Sequence, residues 1–245
     1  MTAAADALPE AGGKPRPHPS VRRPYDAATI MLVDQSGPEP KVLFGKRNPR
    51  HVFMPGRFVF PGGRVERADS RMNSFGVLDE KVERHLMARI LRPSPARARA
   101  FALAAVRELA EETGLFFGST EAGAPPVPDE SWQPFADAGV YPSLEGLWLI
   151  ARALTPPGLV RRFDTRFFAA DASLVVHEGP GAVGPDSEFT ELVWATFEDM
   201  KELDLHPVTQ TIIGLLRERL DAGLERDLPI PFLYRRRGTL FREEI

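Results

Sequence analysis

Arg107-Glu108-Leu109-Ala110-Glu111-Glu112-Thr113-Gly114-Leu115 is the stretch on which the reading of this sequence turns. On an α-helix Glu108, Glu111 and Glu112 stand at i, i+3 and i+4, so their carboxylates leave one face close together. Three like charges held there repel one another, and a bound divalent cation would turn that repulsion into attraction. Magnesium and manganese suit such a cluster, because they take carboxylate and water oxygens and reach substrates through phosphate oxygens. The competing reading is a solvated acidic face, the usual fate of a Glu-Glu pair on a helix. Context favours the metal reading. Gly114 and the apolar residues Leu115-Phe116-Phe117 stop the helix directly behind the acidic triplet. Upstream lies Phe60-Pro61-Gly62-Gly63, a loop whose backbone can offer a carbonyl ligand.

Outward from that run, Ser94-Pro95 reads as an N-cap followed by proline at the first helical position, so the helix is expected from there to Gly114. Val82, Leu86 and Ile90 share one face of an earlier helix over residues 79–91. Ala27 to Val33 and Lys41 to Arg47 read as two strands of a hairpin joined through Gly37-Pro38. Arg57 to Phe60 is a third strand, ended by Pro61. Further strands are expected at residues 147–154, 163–170 and 192–195, and an amphipathic helix at 208–220 with Ile212, Leu215, Leu216 and Leu220 on one face. Strands interleaved with few helices predict a mixed α/β layered domain.

The chain has 245 residues, 43% of them hydrophobic and 27% charged, which suits one elaborated domain with a sizeable core. Residues 1–23, rich in Ala, Pro and Gly, are expected to form a disordered leader, leaving 24–245 as a single domain. A net charge of −3 gives no basic excess for general nucleic-acid binding, and Arg235-Arg236-Arg237 reads as a local patch. With no cysteine, disulfides, thiolate metal sites and a cysteine nucleophile are excluded. His18, His51, His85, His177 and His206 show no metal or triad spacing. The sequence lacks a membrane-spanning apolar run and a secretory signal, so a soluble cytoplasmic protein without membrane attachment is expected.

The acidic run resembles the box of the Nudix hydrolase family: glycine, five residues, an acidic residue, seven residues, then Arg-Glu-apolar-x-Glu-Glu-x-Gly-apolar. The second half matches at every specified position. In the first half Gly63 is followed by five residues and Asp69, an aspartate where the family usually has glutamate. The spacer, residues 70 to 106, holds 37 residues rather than seven, which places an insert of about 30 residues inside the box, a helical one at about 70–95. Long inserts of this kind are reminiscent of the coenzyme A diphosphatase type. The resemblance implies a Nudix-like α/β/α sandwich with a mixed sheet and a helical insertion, and hydrolysis of a pyrophosphate bond dependent on Mg2+ or Mn2+. It further implies that Glu108, Glu111, Glu112 and the Gly63 carbonyl bind metal, with Asp69 as a further metal candidate, and that Arg107 orients a box carboxylate. A later acidic residue before a Trp-containing strand is expected as base or extra ligand. Glu188 fills that role here, with Glu191 in reserve and a plain surface carboxylate as the alternative.

The partner implied is a small nucleoside diphosphate derivative. Gly56, three residues and Phe60-Pro61-Gly62-Gly63 fit the end of a signature seen in coenzyme A-type relatives, while Lys46, Arg47 and Arg50 approximate its beginning. Arg47 and Arg50, then Arg161 and Arg162, are the candidates for binding substrate phosphates; their alternative is a solvated hairpin end or a turn fixed by Asp164 and Arg166. Coenzyme A or an acyl derivative is the expected substrate. Hydrolysis of ADP-ribose or NADH, and a non-catalytic ligand-binding regulator, stand as alternatives. A homodimer stays open.

Overall fold

Residues 27–33 alternate between two buried faces: Ala28, Ile30 and Leu32 point one way, Met31 and Val33 the other. A strand with apolar residues on both faces belongs in the middle of a covered sheet, and that is its place. The computed structural model describes residues 23–51, 54–159, 161–180, 182–224, 228–236 and 239–245. The leader expected over residues 1–23 lies outside them except for Arg23.

In chain order the elements are β1 Tyr25–Asp34, β2 Lys41–Arg47, β3 Phe58–Val59, β4 Gly62–Arg64, α1 Glu80–Met87, α2 Pro95–Thr113, β5 Leu115–Ser119, α3 Gln133–Asp137, β6 Tyr141–Pro142, β7 Trp148–Leu154, β8 Phe163–Asp171, β9 Val175–Glu178, β10 Phe189–Thr196, α4 Pro207–Asp221, β11 Pro231–Arg236 and β12 Thr239–Glu244. The main sheet runs β10-β2-β1-β8-β7-β11-β12, with β3 paired to β2 and β4 to β1. It is mixed, since β1 lies parallel to β8 and β11 parallel to β7, while the other pairs are antiparallel. A small sheet, β6-β5-β9, stands apart. Helix α2 packs on one face of the main sheet through Phe101, Ala105 and Leu109, and α4 on the other through Ile212, Leu215 and Leu216. The result is an α/β/α sandwich.

The insert carries one regular helix, shorter than its apolar spacing suggests. Asp79 caps α1 through the backbone N–H groups of Lys81 and Val82. The helix stops at Met87 because Ala88 turns extended and Arg89 adopts φ 52°, so Ile90 does not continue it. Arg152 on β7 fixes this exit: its guanidinium binds both oxygens of Asp164 at 2.7 Å and donates to the Ala88 carbonyl at 3.0 Å. Asp164 also pairs with buried Arg166 at 3.2 Å, and Arg166 lies over the Phe101 ring of α2. One charged cluster thereby ties insert, sheet and α2 together.

The stretch after Pro61 is not a free loop. Gly62, Gly63 and Arg64 pair with Thr29, Ala28 and Ala27 as β4, filling the gap beside β1. Leu115–Phe117, expected only to end a helix, begins β5. The arginines at 235 and 236 belong to β11 of a C-terminal hairpin.

Candidate active site

Helix α2 presents the acidic residues from a rigid position. Ser94 caps the backbone N–H of Arg97, Pro95 occupies the first turn, and Gly114 ends the helix at φ 77°. Alanines 98, 102 and 105 let the helix lie close to the sheet, so its C-terminal half reaches β4. There Glu112 accepts a hydrogen bond from the Gly62 N–H at 2.8 Å. Glu108 lies against Gly63 so closely that an added β-carbon would come within 2.3 Å of its Oε1. The two halves of the motif therefore meet in space across the whole insert. Glycine at 63 gives the Glu108 carboxylate room for that approach, and no positive φ calls for it.

Arg107 organises the floor of the cluster. It is 2% exposed and donates from Nε to Asp69 Oδ1 at 2.9 Å, from Nη1 to Glu111 at 2.8 Å and from Nη2 to the Arg64 carbonyl at 2.9 Å. Glu108 lies 3.0 Å from Nη1. Burial alone would weaken its charge, yet the Asp69 bond and the Glu108, Asp69 and Glu111 charges hold Arg107 more firmly protonated than usual. Asp69 was expected among the metal candidates. It is fully buried, with one oxygen on Arg107 Nε and the other accepting from the Glu66 N–H at 2.7 Å. Both oxygens are thus engaged in holding Arg107 and the turn after β4. The shorter aspartate reaches because that turn folds back under the helix.

The other carboxylates are crowded and short of counter-charge. Burial pushes Glu108 up to about 7, with Glu111 and Glu188 adding like charge against the pull of Arg107. Burial also raises Glu111, opposed by Arg107. Glu112, 5% exposed, is raised well above its ordinary range by burial and then by Glu188 and Glu108, against the Gly62 N–H and Arg47. Asp69, Glu108, Glu111, Glu112 and Glu188 face two cations, Arg107 and Arg47. Among the described residues no group of three or more His, Asp or Glu stands at ready metal-binding separation. The glutamates are instead drawn onto Arg107 and the Gly62 N–H. A partly buried, net-negative set of hard oxygen donors, with Glu111 and Glu188 at its exposed edge, is nevertheless what Mg2+ or Mn2+ fits.

Glu188 sits just before β10 and pairs with Arg47 at 2.8 Å, within electrostatic reach of Glu108 and Glu112. Glu191 instead faces Lys46 at 3.5 Å on the exposed side of β10. The loop bearing Glu188 is held by Asn48, a residue that the sequence pattern did not single out. Its Nδ2 donates to the carbonyls of Pro185 (2.8 Å) and Ser187 (3.1 Å), and its backbone N–H to that of Glu188 (2.9 Å). Gly45 supports the same loop, because the Phe189 ring occupies the place where its side chain would be. Asn48→Ala should leave two carbonyls without a donor, at about 1–3 kcal/mol in stability, and lower turnover about 10- to 100-fold. The expected signature is a fall in kcat together with a higher metal concentration for half-maximal rate; unchanged metal dependence would make Asn48 a purely structural residue.

Of the four arginines expected at substrate phosphates, Arg47 lines a cleft of about 450 Å3 beside the cluster, which Gly62 also lines. Arg50 extends into solvent, bound to Asp186 at 2.8 Å. Arg161 is exposed. Arg162 is buried and donates to the Thr155 carbonyl at 3.2 Å, which fixes the turn between β7 and β8. His206 caps α4 by accepting from the Val208 N–H and also lines the cleft.

No family model matches the chain. A Caenorhabditis elegans protein named as a nudix hydrolase is 28% identical over 178 residues, 69% of this chain and 50% of the relative. The Gallus gallus acyl-coenzyme A diphosphatase NUDT19 is 27% identical over 212 residues, 62% of this chain and 56% of the relative. The crystal structure of a NUDIX hydrolase from Alicyclobacillus acidocaldarius superposes with a TM-score of 0.58 at 26% identity, covering 80% of this chain and 92% of the other. In sequence and in fold the chain is similar to Nudix hydrolases. It spans about half the length of the curated relatives it matches. Within the stretch that resembles the Nudix box, Gly63 meets Glu108 through β4, and Asp69 stands under Arg107. No helix among the described residues is long and apolar enough to cross a membrane.

Proposed function

We propose that this chain is a Nudix hydrolase that cuts the pyrophosphate link of a nucleoside diphosphate derivative with the help of Mg2+ or Mn2+. The observation that carries the reading is the buried excess of carboxylates around Gly62 and Gly63, whose raised proton affinities mark a site short of positive charge. Glu108, Glu111 and Glu112, with the Gly63 carbonyl, would hold the cation. When bound, it supplies charge to the diphosphate and acidifies the attacking water. Arg107, anchored by Asp69, fixes the orientation of Glu108 and Glu111. Glu188, held by Arg47 and the Asn48-bound loop, stands ready to accept the proton of that water. Arg47, with its Nε free of any hydrogen bond, offers the diphosphate a cationic contact.

The substrate we favour is coenzyme A or an acyl derivative. NUDT19 is named as an acyl-coenzyme A diphosphatase, and the Phe60-Pro61-Gly62-Gly63 loop with its long insert fits that type. ADP-ribose, NADH or another nucleotide diphosphate is the second reading. A non-catalytic regulator is disfavoured, because a binding module gains nothing from keeping mutually repelling carboxylates buried. The deciding experiment is a panel of these diphosphates with Mg2+, with Mn2+ and with chelator. Coenzyme A or an acyl form should be cut best and chelator should stop the reaction. A preference for ADP-ribose or NADH overturns the substrate, and a rate insensitive to chelator overturns the metal site.

A further inference from the structure

The cleft beside the box has a marked chemical bias. Val59, Phe60, Leu154, Phe163 and Phe167 line it, with Tyr234 and Arg235 of β11, and Leu159 and Leu240 stand at its exposed rim. Several polar side chains in it are already occupied by the protein's own backbone. Thr155 accepts from the Phe163 N–H, His206 from the Val208 N–H, and Thr211 donates to the Pro207 carbonyl. A nucleobase edge carries several donors and acceptors, and burying them here without partners would be costly. An aliphatic group has none. The rim residues Leu159 and Leu240 are 55% and 54% exposed, so apolar surface stands open to solvent at the mouth of an apolar cleft. At the inner end Arg47 and Gly62 border the box. The cleft is thus cationic at Arg47 beside the box and mostly apolar along the rest of its lining.

We propose that this cleft binds an aliphatic arm attached to one phosphate of the substrate, and that the β11–β12 hairpin, through Leu233 and Leu240, sets the length of arm that fits. The nucleoside half then lies on the other side of the cut bond. This rests on the hydrolase reading and adds to it a specificity element outside the box.

The test uses coenzyme A thioesters of increasing acyl length with the full chain. Each added methylene should raise kcat/KM about fourfold until the cleft is full, after which the rise stops. Leu240→Asp and Leu159→Asp, both at solvent-exposed rim positions, should flatten the series, while Leu240→Trp should move its optimum to shorter chains. Far-ultraviolet circular dichroism of each variant establishes folding. In parallel, calorimetry with S-acyl phosphopantetheines reads the same length dependence as affinity without turnover. A flat series in both measurements overturns the proposal. So does a rate that falls on changing the base while ignoring chain length, which would put the nucleobase in the cleft. If no thioester is cut at all, the coenzyme A reading fails while the hydrolase reading is still decided by the other diphosphates, and calorimetry alone decides the cleft.

Discussion

Glu112→Gln is expected to reduce metal-dependent turnover by orders of magnitude while making the metal-free protein more stable. The two effects arise from one cause. Glu112 is 5% exposed, its one neutral partner is the Gly62 N–H, and Glu108 and Glu188 press like charge on it. A glutamine keeps the shape and can still accept the Gly62 bond, but carries no charge to be desolvated. The metal-free fold therefore loses a repulsion. The proposed function loses an oxygen donor whose charge a cation requires. A residue buried for structural reasons behaves in the opposite way, since its replacement lowers stability and leaves chemistry alone. The checks are melting temperature in chelator and kcat with saturating Mg2+ or Mn2+, for Glu112→Gln and for Glu111→Gln beside it. Full activity in the folded double variant would remove these residues from the metal site, and a lower melting temperature for Glu112→Gln in chelator would contradict the electrostatic account.

The parts of this arrangement that depend on neighbours in sequence were legible without coordinates. Ser94-Pro95 and Gly114 mark the two ends of α2 because capping is local, and spacing alone puts three glutamates on one side of it. What sequence spacing could not supply was depth. Asp69 reads as one more acidic ligand until the turn after β4 brings it under Arg107, where both its oxygens are engaged. Asn48 carries no signal of its own, since its role comes from carbonyls more than 130 residues away in sequence. The β11–β12 hairpin escaped because Tyr234-Arg235-Arg236 and Arg242-Glu243-Glu244 lack the apolar alternation of a half-buried strand. Its pairing with β7 is set by the sheet and not by its own pattern. The cleft is assembled from several separate stretches of chain between Thr29 and Leu240, so no window of sequence contains it. Phe167 belongs both to the core and to the lining of the cleft.

The metal-free protein should lose stability as pH rises from about 4.5 to about 7, and added cation should restore it only at the upper end of that range. The sign follows from the direction of the shift. An unfolded glutamate titrates near 4.5, whereas burial holds folded Glu108 at about 7. Between those values the unfolded chain releases a proton that the folded chain retains, so ionisation favours unfolding throughout the interval and its effect levels off above 7. For Glu108 alone the loss is on the order of 3 kcal/mol, and Glu111 and Glu112 shift in the same direction. Asp171 is displaced oppositely, to below its usual range despite partial burial, by its bonds to Ser173 and Gln35. Its contribution is lost only as pH falls below about 4, which separates ordinary acid unfolding from the effect at the box. Cation binding needs the ionised carboxylates, so it competes with the protons and gains strength as they leave. Thermal melts in chelator should therefore show a higher midpoint at pH 5.5 than at pH 8. Millimolar Mg2+ or Mn2+ should raise the pH 8 midpoint and leave the pH 5.5 midpoint nearly unchanged. Glu112→Gln should shrink both the pH slope and the response to metal. A midpoint that climbs steadily from pH 5 to 8 in chelator would show that these carboxylates ionise without cost, and the case for a cation among them would fall with it.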